Sequence, residues 1–364
     1  MKRHKICKII LAILAVFLCV AFYELIGICI TYKKQPAGSD ATIKETQNIM
    51  SVAGRENTER AVIIEKNSQA LLERVRLIQN AKDEIILSTF AFKSDESGKL
   101  ILGALHDAAD RGVHVRILVD GMESWIDMEG NPYFYGLSSH ENVEIKLYNK
   151  ANPLKPWKTM GRMHDKYLIA DGKIYILGGR NTYNYFLGDF PGHKNFDRDV
   201  LVVCDEPQKD NSVNQLWNYF ETIWEQEDCR YFHNSKKLAD RQSVKKAVLE
   251  LQEGYQQYFD DNKERLCDTD YADETFETEK ITLLSNPIHT RAKEPVVWYQ
   301  LGELMKNAKE CVKIHTPYII CNDMMYNTWE EIAQKVPDFS IMTNSVANNG
   351  NPFGAADYAK NRKR

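Results

Sequence analysis

IILSTFAFKSDESGKLILGALHDAADRGVHVRILVDG, residues 85–121, is the stretch on which the fold turns. It opens with Ile85 to Phe92, an apolar run rich in β-formers, which predicts a strand buried on both faces. Leu100, Ile101, Ala104, Leu105 and Ala108 then recur at helical spacing, and Gly112 stands where helices commonly end. Val113, Val115, Ile117 and Val119 form a second strand, closed by Asp120-Gly121. Strand, helix and strand with short connections make a βαβ unit, so the fold class is α/β, a parallel or mixed sheet with helices outside.

The same pattern extends in both directions. Upstream, Leu71, Leu72, Val75 and Ile78 share one helical face, with Asn67 or Ser68 as a cap. Downstream, Val143–Tyr148, Tyr167–Ala170, Lys173–Leu177 and Val200–Cys204 read as strands. Val213–Trp224 is an amphipathic helix carrying Leu216, Trp217, Phe220, Ile223 and Trp224. These elements make a lobe over residues 61–232, followed by a helix and acidic, solvated connector over 233–279.

An internal repeat then appears. Leu77–Thr89 resembles Leu304–Thr316, with Asn80 answered by Asn307, 227 residues on. Val115–Gly121 is answered by Phe339–Ser345, with Ile117 matched to Ile341 at a separation of 224. Two matching separations indicate a duplicated sandwich: one complete lobe, and a partial second lobe over 280–364. At this spacing the second-lobe counterpart of His164 is expected near position 391, so the second lobe reads as cut short before it.

The 364 residues include 27% charged side chains and carry a net charge of -4, which gives no global pull toward nucleic acid. The 8 cysteines are scattered with no C-x-x-C pair, against a zinc site or a dense disulfide framework. Ile6 to Tyr32 is apolar apart from Glu24, long enough to cross a hydrocarbon core of about 30 Å. A removed signal peptide is the rival reading, but the run is long and no small-x-small cleavage site follows it. A single-pass anchor over 1–34 is therefore expected, with a polar tether over 35–60. Lys2, Arg3, Lys5 and Lys8 outnumber Lys33 and Lys34, which puts the N-terminus in the cytoplasm and the rest of the chain outside.

The chemistry concentrates in His164-x-Lys166-x4-Asp171-x6-Gly178-Gly179-x-Asn181. On one strand, His164 and Lys166 point to the same face. Such a pair suits a phosphodiester: the lysine neutralises non-bridging oxygens while the imidazole attacks phosphorus or moves a proton. Asn181 can donate to another phosphate oxygen, and Gly178 and Gly179 allow close backbone approach. Asp171 either orients a histidine or closes the Asp171-Gly172 turn. By chance the full set arises roughly once in 10⁵ chains of this size.

This pattern resembles the signature of the phospholipase D superfamily, and Asn181–Tyr185 followed by Asp197-Arg198-Asp199 resembles cardiolipin synthase-like members. The resemblance implies two such motifs at one active site, a phosphohistidine intermediate and no metal or other cofactor. It makes His164, Lys166 and Asp171 the catalytic set, with Lys166, Asn181, Gly178 and Gly179 at the substrate phosphate. The sequence holds one H-x-K among its 9 histidines, so a second motif has to come from a dimer or a missing C-terminal half. A phospholipid substrate at a membrane is expected and nucleic acid is not. A nuclease on the same scaffold and an inactive membrane-bound scaffold are the alternatives. Lys146, Lys150, Lys155, Lys158 and Arg162, with Trp157 among them, form either a basic approach to anionic head groups or a solvated loop. His315 is expected in the core, and Asp120 as a turn residue.

Overall fold

The computed structural model describes residues 2–33, 36–51, 59–348 and 352–361. The chain divides into two compact units, the first built on Gly54–Leu283 together with Met1–Lys34 and Ile288–Ala292. It begins with α1 (Lys2–Tyr32), a helix long and apolar enough to cross a membrane. Helix α2 (Asp40–Ser51) belongs to the second unit.

In the first unit the described residues form a nine-stranded sheet in the order β8-β4-β3-β2-β5-β6-β7-β1-β9. Its strands are β1 (Arg60–Ile64), β2 (Glu84–Thr89), β3 (His114–Asp120), β4 (Val143–Tyr148), β5 (Tyr167–Ala170), β6 (Ile174–Gly178), β7 (Asp199–Val203), β8 (Cys229–Tyr231) and β9 (Phe276–Glu277). Strands β2, β3 and β4 run parallel, as the βαβ reading requires, and the other pairings are antiparallel. Helices α3 (Asn67–Asn80), α4 (Glu96–Asp110), α5 (Gly121–Asp127), α6 (Pro132–Ser138), α7 (Ser212–Trp224), α8 (Gln242–Asp261) and α9 (Lys263–Leu266) complete the unit.

Alternate residues of β2 face opposite cores, because side chains alternate along a strand. Ile85 and Leu87 pack with α3, α4, α6 and α8, whereas Ile86 packs with α7. The result is an α/β/α sandwich whose central strands are buried on both faces.

Over 260–279 most of the acidic side chains are exposed, as the solvated reading expects, but the 233–279 segment is also anchored in the core. In α8, Val244, Leu251 and Tyr255 are buried in the main core, as are Leu266 and Tyr271 beyond it. The acidic stretch is organised around Arg76 of α3, whose guanidinium is fully buried. Arg76 donates to the carbonyls of Asp268 (2.8 Å) and Asp270 (3.0 Å) and to the Glu274 carboxylate (2.9 Å), and lies 4.0 Å from the Tyr271 ring centroid. A buried guanidinium needs several acceptors, and this segment supplies them.

The second unit holds α2, α10 (Val296–Lys306), β10 (Cys311–His315), α11 (Asp323–Lys335), β11 (Asp338–Met342) and α12 (Pro352–Asn361). The expected tether over 35–60 thus contains a helix. Ser39 N and Thr42 Oγ1 both donate to Glu294 at 2.6 Å just ahead of α10; residues 52–58 of that span lie outside the described residues.

The repeat is realised in three dimensions. β2 pairs in parallel with β3 from Glu84↔His114, and β10 with β11 from Cys311↔Asp338, reproducing the separations of 227 and 224 residues. His315 is exposed rather than packed in the core. Val312 faces the small core formed with Ile332 and Val336, so the odd-numbered residues of β10 point away from it.

Candidate active site

All the motif residues but Asp171 gather where β2 and β3 end and β5 begins. His164 and Lys166 lie in extended chain just before β5, not within it, although the Lys166 carbonyl still accepts from Gly178 N (3.2 Å) as the next rung of the ladder. Their side chains meet as the i, i+2 spacing predicted. Lys166 Nζ lies 3.0 Å from His164 Nδ1 and donates to the His164 carbonyl at 2.7 Å. With the lysine charged, Nδ1 accepts, and the proton of a neutral ring sits on Nε2.

Phe90, the first residue beyond β2, forms an aromatic wall. The His164 ring packs edge-on against it with centroids 4.4 Å apart, and Lys166 Nζ lies 5.3 Å from its centroid. The next residue, Ala91, donates its amide to Asn181 Oδ1 at 3.2 Å. That bond fixes the amide plane and leaves Nδ2, a donor, for another acceptor.

Asp120 is more than a turn residue. Its carboxylate, 1% exposed, caps α5 by accepting from Met122 N (3.0 Å) and Glu123 N (3.3 Å). It also accepts from Met163 N at 3.1 Å and from Arg162 Nε and Nη2 at 2.9 and 2.6 Å. The two residues ahead of His164 are therefore clamped to the end of β3. Asp165 is held from the other layer by the Tyr219 hydroxyl of α7 at 2.8 Å.

Asp171 is not at the site. It sits at the far end of β5, about 17 Å from Lys166 at the rise of a strand. Its φ of 53° and the 61° of Gly172 reverse the chain within the three-residue connection, 171–173, between β5 and β6. Its carboxylate accepts from the amides of Lys82 (2.9 Å), Asp83 (2.8 Å) and Glu84 (3.0 Å). Of the two roles open to it in the sequence, it closes the turn, and the catalytic assignment is corrected. The glycines also have a structural cause. A Cβ at Gly178 would collide with the Asp199 carboxylate and one at Gly179 with that of Asp197. Asp199 is itself buried in an ion-pair cluster with Arg74 (2.9 Å) and Arg180 (3.2 Å).

Partial burial, then the cations of Lys166 and Arg162, push His164 down to about 4, with Asp120 opposing; the residue keeps an open face to solvent. Burial likewise lowers Lys166 to about 8, while Asp165, Asp197 and Asp120 hold it up. At neutral pH the site therefore offers a neutral imidazole beside an ammonium, which suits a phosphodiester monoanion.

The expected basic approach is only partly available. Lys146 donates to the Trp224 carbonyl at 3.1 Å and Lys158 pairs with Asp228, whereas Lys150 and Lys155 are exposed. Phe90, Asp120 and Tyr219 were missed in the sequence. The usable signal for the first two was their position, at the carboxyl ends of adjacent parallel strands, where α/β sheets place their sites.

The stretch that builds this site is similar to known proteins. Residues 75–224 match the family described as cardiolipin synthase, PLD-like domain. An uncharacterized protein of Helicobacter pylori is 27% identical over 319 residues, covering 80% of this chain and 60% of that protein. Cardiolipin synthase C of Escherichia coli is 29% identical over 154 residues, covering 38% of this chain and 31% of that protein. The chain thus spans 60% of the length of the first relative and less than a third of the second's length is matched. The phosphatidylserine synthase of Haemophilus influenzae superposes with a TM-score of 0.55 at 14% identity, covering 85% of this chain and 67% of that one, a likeness of fold.

Proposed function

We propose, from the match of residues 75–224 to the PLD-like domain family, that the chain is a phospholipase D superfamily member and a membrane-held phosphodiesterase or phosphatidyltransferase acting on phospholipids. The observation that carries the reading is the Lys166 ammonium set 3.0 Å from the His164 imidazole, behind an open face. His164 and Lys166 are the catalytic pair, Lys166 and Asn181 Nδ2 take the non-bridging oxygens, and Gly178 and Gly179 seat the strand beneath them. Helix α1 is the membrane span, its N-terminus cytoplasmic and the catalytic unit on the opposite side.

The chemistry needs two histidines. A ring nitrogen of one attacks phosphorus; the N–P bond forms as the ester P–O bond breaks, and the leaving alkoxide takes a proton from the other. That second histidine then deprotonates water or an acceptor alcohol, which attacks phosphorus and breaks the N–P bond. His164 is one of the two. Its partner comes from a second copy of the chain or from a C-terminal continuation carrying H-x-K, because the 364 residues hold a single such motif.

Full-length protein in phosphatidylglycerol proteoliposomes, assayed for release of the glycerol head group, tests this. Release that is lost in His164→Ala is the expected result. Cleavage of single-stranded DNA with no lipid turnover would move the protein to the nuclease reading. Turnover indifferent to His164→Ala would remove the site altogether.

A further inference from the structure

The last two turns of α1 are not free of the first unit. Glu24, Gly27, Ile28, Thr31 and Tyr32 are partly covered, while Leu25, Ile26, Cys29 and Ile30 between them are exposed. That spacing is one helical stripe. Residues 156–161, which lead toward His164, cover it. A Cβ on Gly27 would lie 2.6 Å from Pro156 Cγ, so only glycine permits this approach. Glu24, the polar interruption of the apolar run, accepts from Thr159 Oγ1 at 3.1 Å. The Tyr32 hydroxyl donates to the Thr290 carbonyl at 2.9 Å, and a Cβ on Gly161 would meet Thr290 Cα at 2.5 Å.

The length of α1 fits this arrangement. The apolar span Lys5–Tyr32 has 28 residues. At 1.5 Å per residue it is about 42 Å long, against about 30 Å of hydrocarbon, a surplus of about eight residues. The docked stretch begins at Glu24, which leaves Lys5–Tyr23 to cross the membrane.

The loop seated on these turns is unusually apolar at its surface. Leu154 is 78% exposed, Trp157 42% and Met160 57%. Exposed Lys150 and Lys155 flank them. Exposed Trp125 and Ile126 of α5 are tied to the same loop through the Asp120–Arg162 ion pair. Exposed aromatic and aliphatic side chains among lysines, beside the end of a membrane helix, are the composition of a membrane interface.

We infer that residues 150–162 form a second, interfacial contact with an anionic phospholipid surface. Leu154, Trp157 and Met160 enter the head-group layer, Lys150 and Lys155 meet its phosphates, and the mouth of the His164 site is held against the lipid. The inference rests on α1 as a membrane span but on no step of catalysis.

The test is fluorescence quenching of the full chain in vesicles of phosphatidylcholine and phosphatidylglycerol whose acyl chains carry bromine near the head group. Bromolipid is expected to quench part of the wild-type emission, and Trp157→Phe to lose that part. Gly27→Leu, which wedges the loop off α1, is expected to lose it while the protein stays membrane-bound. Equal quenching in wild type and Trp157→Phe would overturn the inference. The readout needs no turnover: quenching without head-group release sinks only the enzymatic reading, and release with equal quenching sinks only the contact.

Discussion

The β2–α4–β3 and β10–α11–β11 units share one connectivity and one parallel register, yet differ in what surrounds them and what they carry. From Val115 to Asp120 every residue of β3 is buried, whereas β11 alternates between exposed and half-covered positions. The first pair lies inside a nine-stranded sheet with helices on both faces; the second is a two-stranded sheet among the described residues, with a small core on one face. At the strand end that carries Asp120, the second unit has Asn344, which is exposed. Over the residues compared, the duplication preserves the backbone path while the side chain at the carboxyl edge changes from a buried, paired carboxylate to an exposed amide.

The sharpest way to break this comparison is to exchange histidines. His164→Ala is expected to reduce head-group release by about 10³-fold, while His315→Ala, on the open face of β10, leaves it unchanged. Equal losses from both would mean that the second unit shares the chemistry. Next in size is a matched pair of core truncations. Ile117→Ala, fully buried, is expected to cost about 2–5 kcal/mol. Ile341→Ala, half-covered, is expected to cost about 1 kcal/mol or less, both read from denaturant unfolding in detergent.

Smaller again is Asp120→Asn, which gives the first unit the residue of the second. It removes the buried carboxylate that Arg162 Nε and Nη2 share, leaving the longer Glu123 contact at 3.4 Å, and should cost about 1–3 kcal/mol of stability. It should also lower kcat/KM, because Arg162 and Met163 lose the clamp that sets His164. Asn344→Asp should raise neither. The gentlest effect is pH dependence. His164, lowered to about 4, is neutral above that value; Lys166, lowered to about 8, is cationic below it. The acid limb of kcat/KM is thus expected as pH drops through about 4, and the alkaline limb follows deprotonation of the second histidine and, by about 8, of Lys166. An acid limb centred near 6.5 would mean that His164 is not held low.

Local patterns carried most of the fold and part of the site. The run from Ile85 reads as a strand covered on both faces and is one as far as Thr89, three residues short of the expected Phe92; the two repeat separations reappear in the strand registers, and His164 and Lys166 meet as their spacing implied. What escaped depends on partners distant in the chain. The acidic 260–279 stretch reads as solvated until Arg76, 192 residues before Asp268, turns out to be buried beneath it. Asp120 reads as a turn residue because Arg162, 42 positions on, is invisible to local reasoning. His315 was misplaced because a strand with one covered face and a strand with two differ little over five residues. Glu24 looked like a blemish in an apolar helix and proves to have a partner in Thr159.

The Asp171-Gly172 turn has a wider consequence. The four residues between Lys166 and Asp171 are the whole of β5, and the return to Gly178 is the length of β6. The signature's intervals are then a ruler laid along one hairpin: the lysine at the top, the aspartate pinned to three amides at the bottom, the glycines back at the top. Adding one residue to a single arm would turn His164 and Lys166 to the opposite side of the sheet. Adding two to each arm would return them to the same side, so the hairpin could be stretched in pairs while the reacting atoms keep their places.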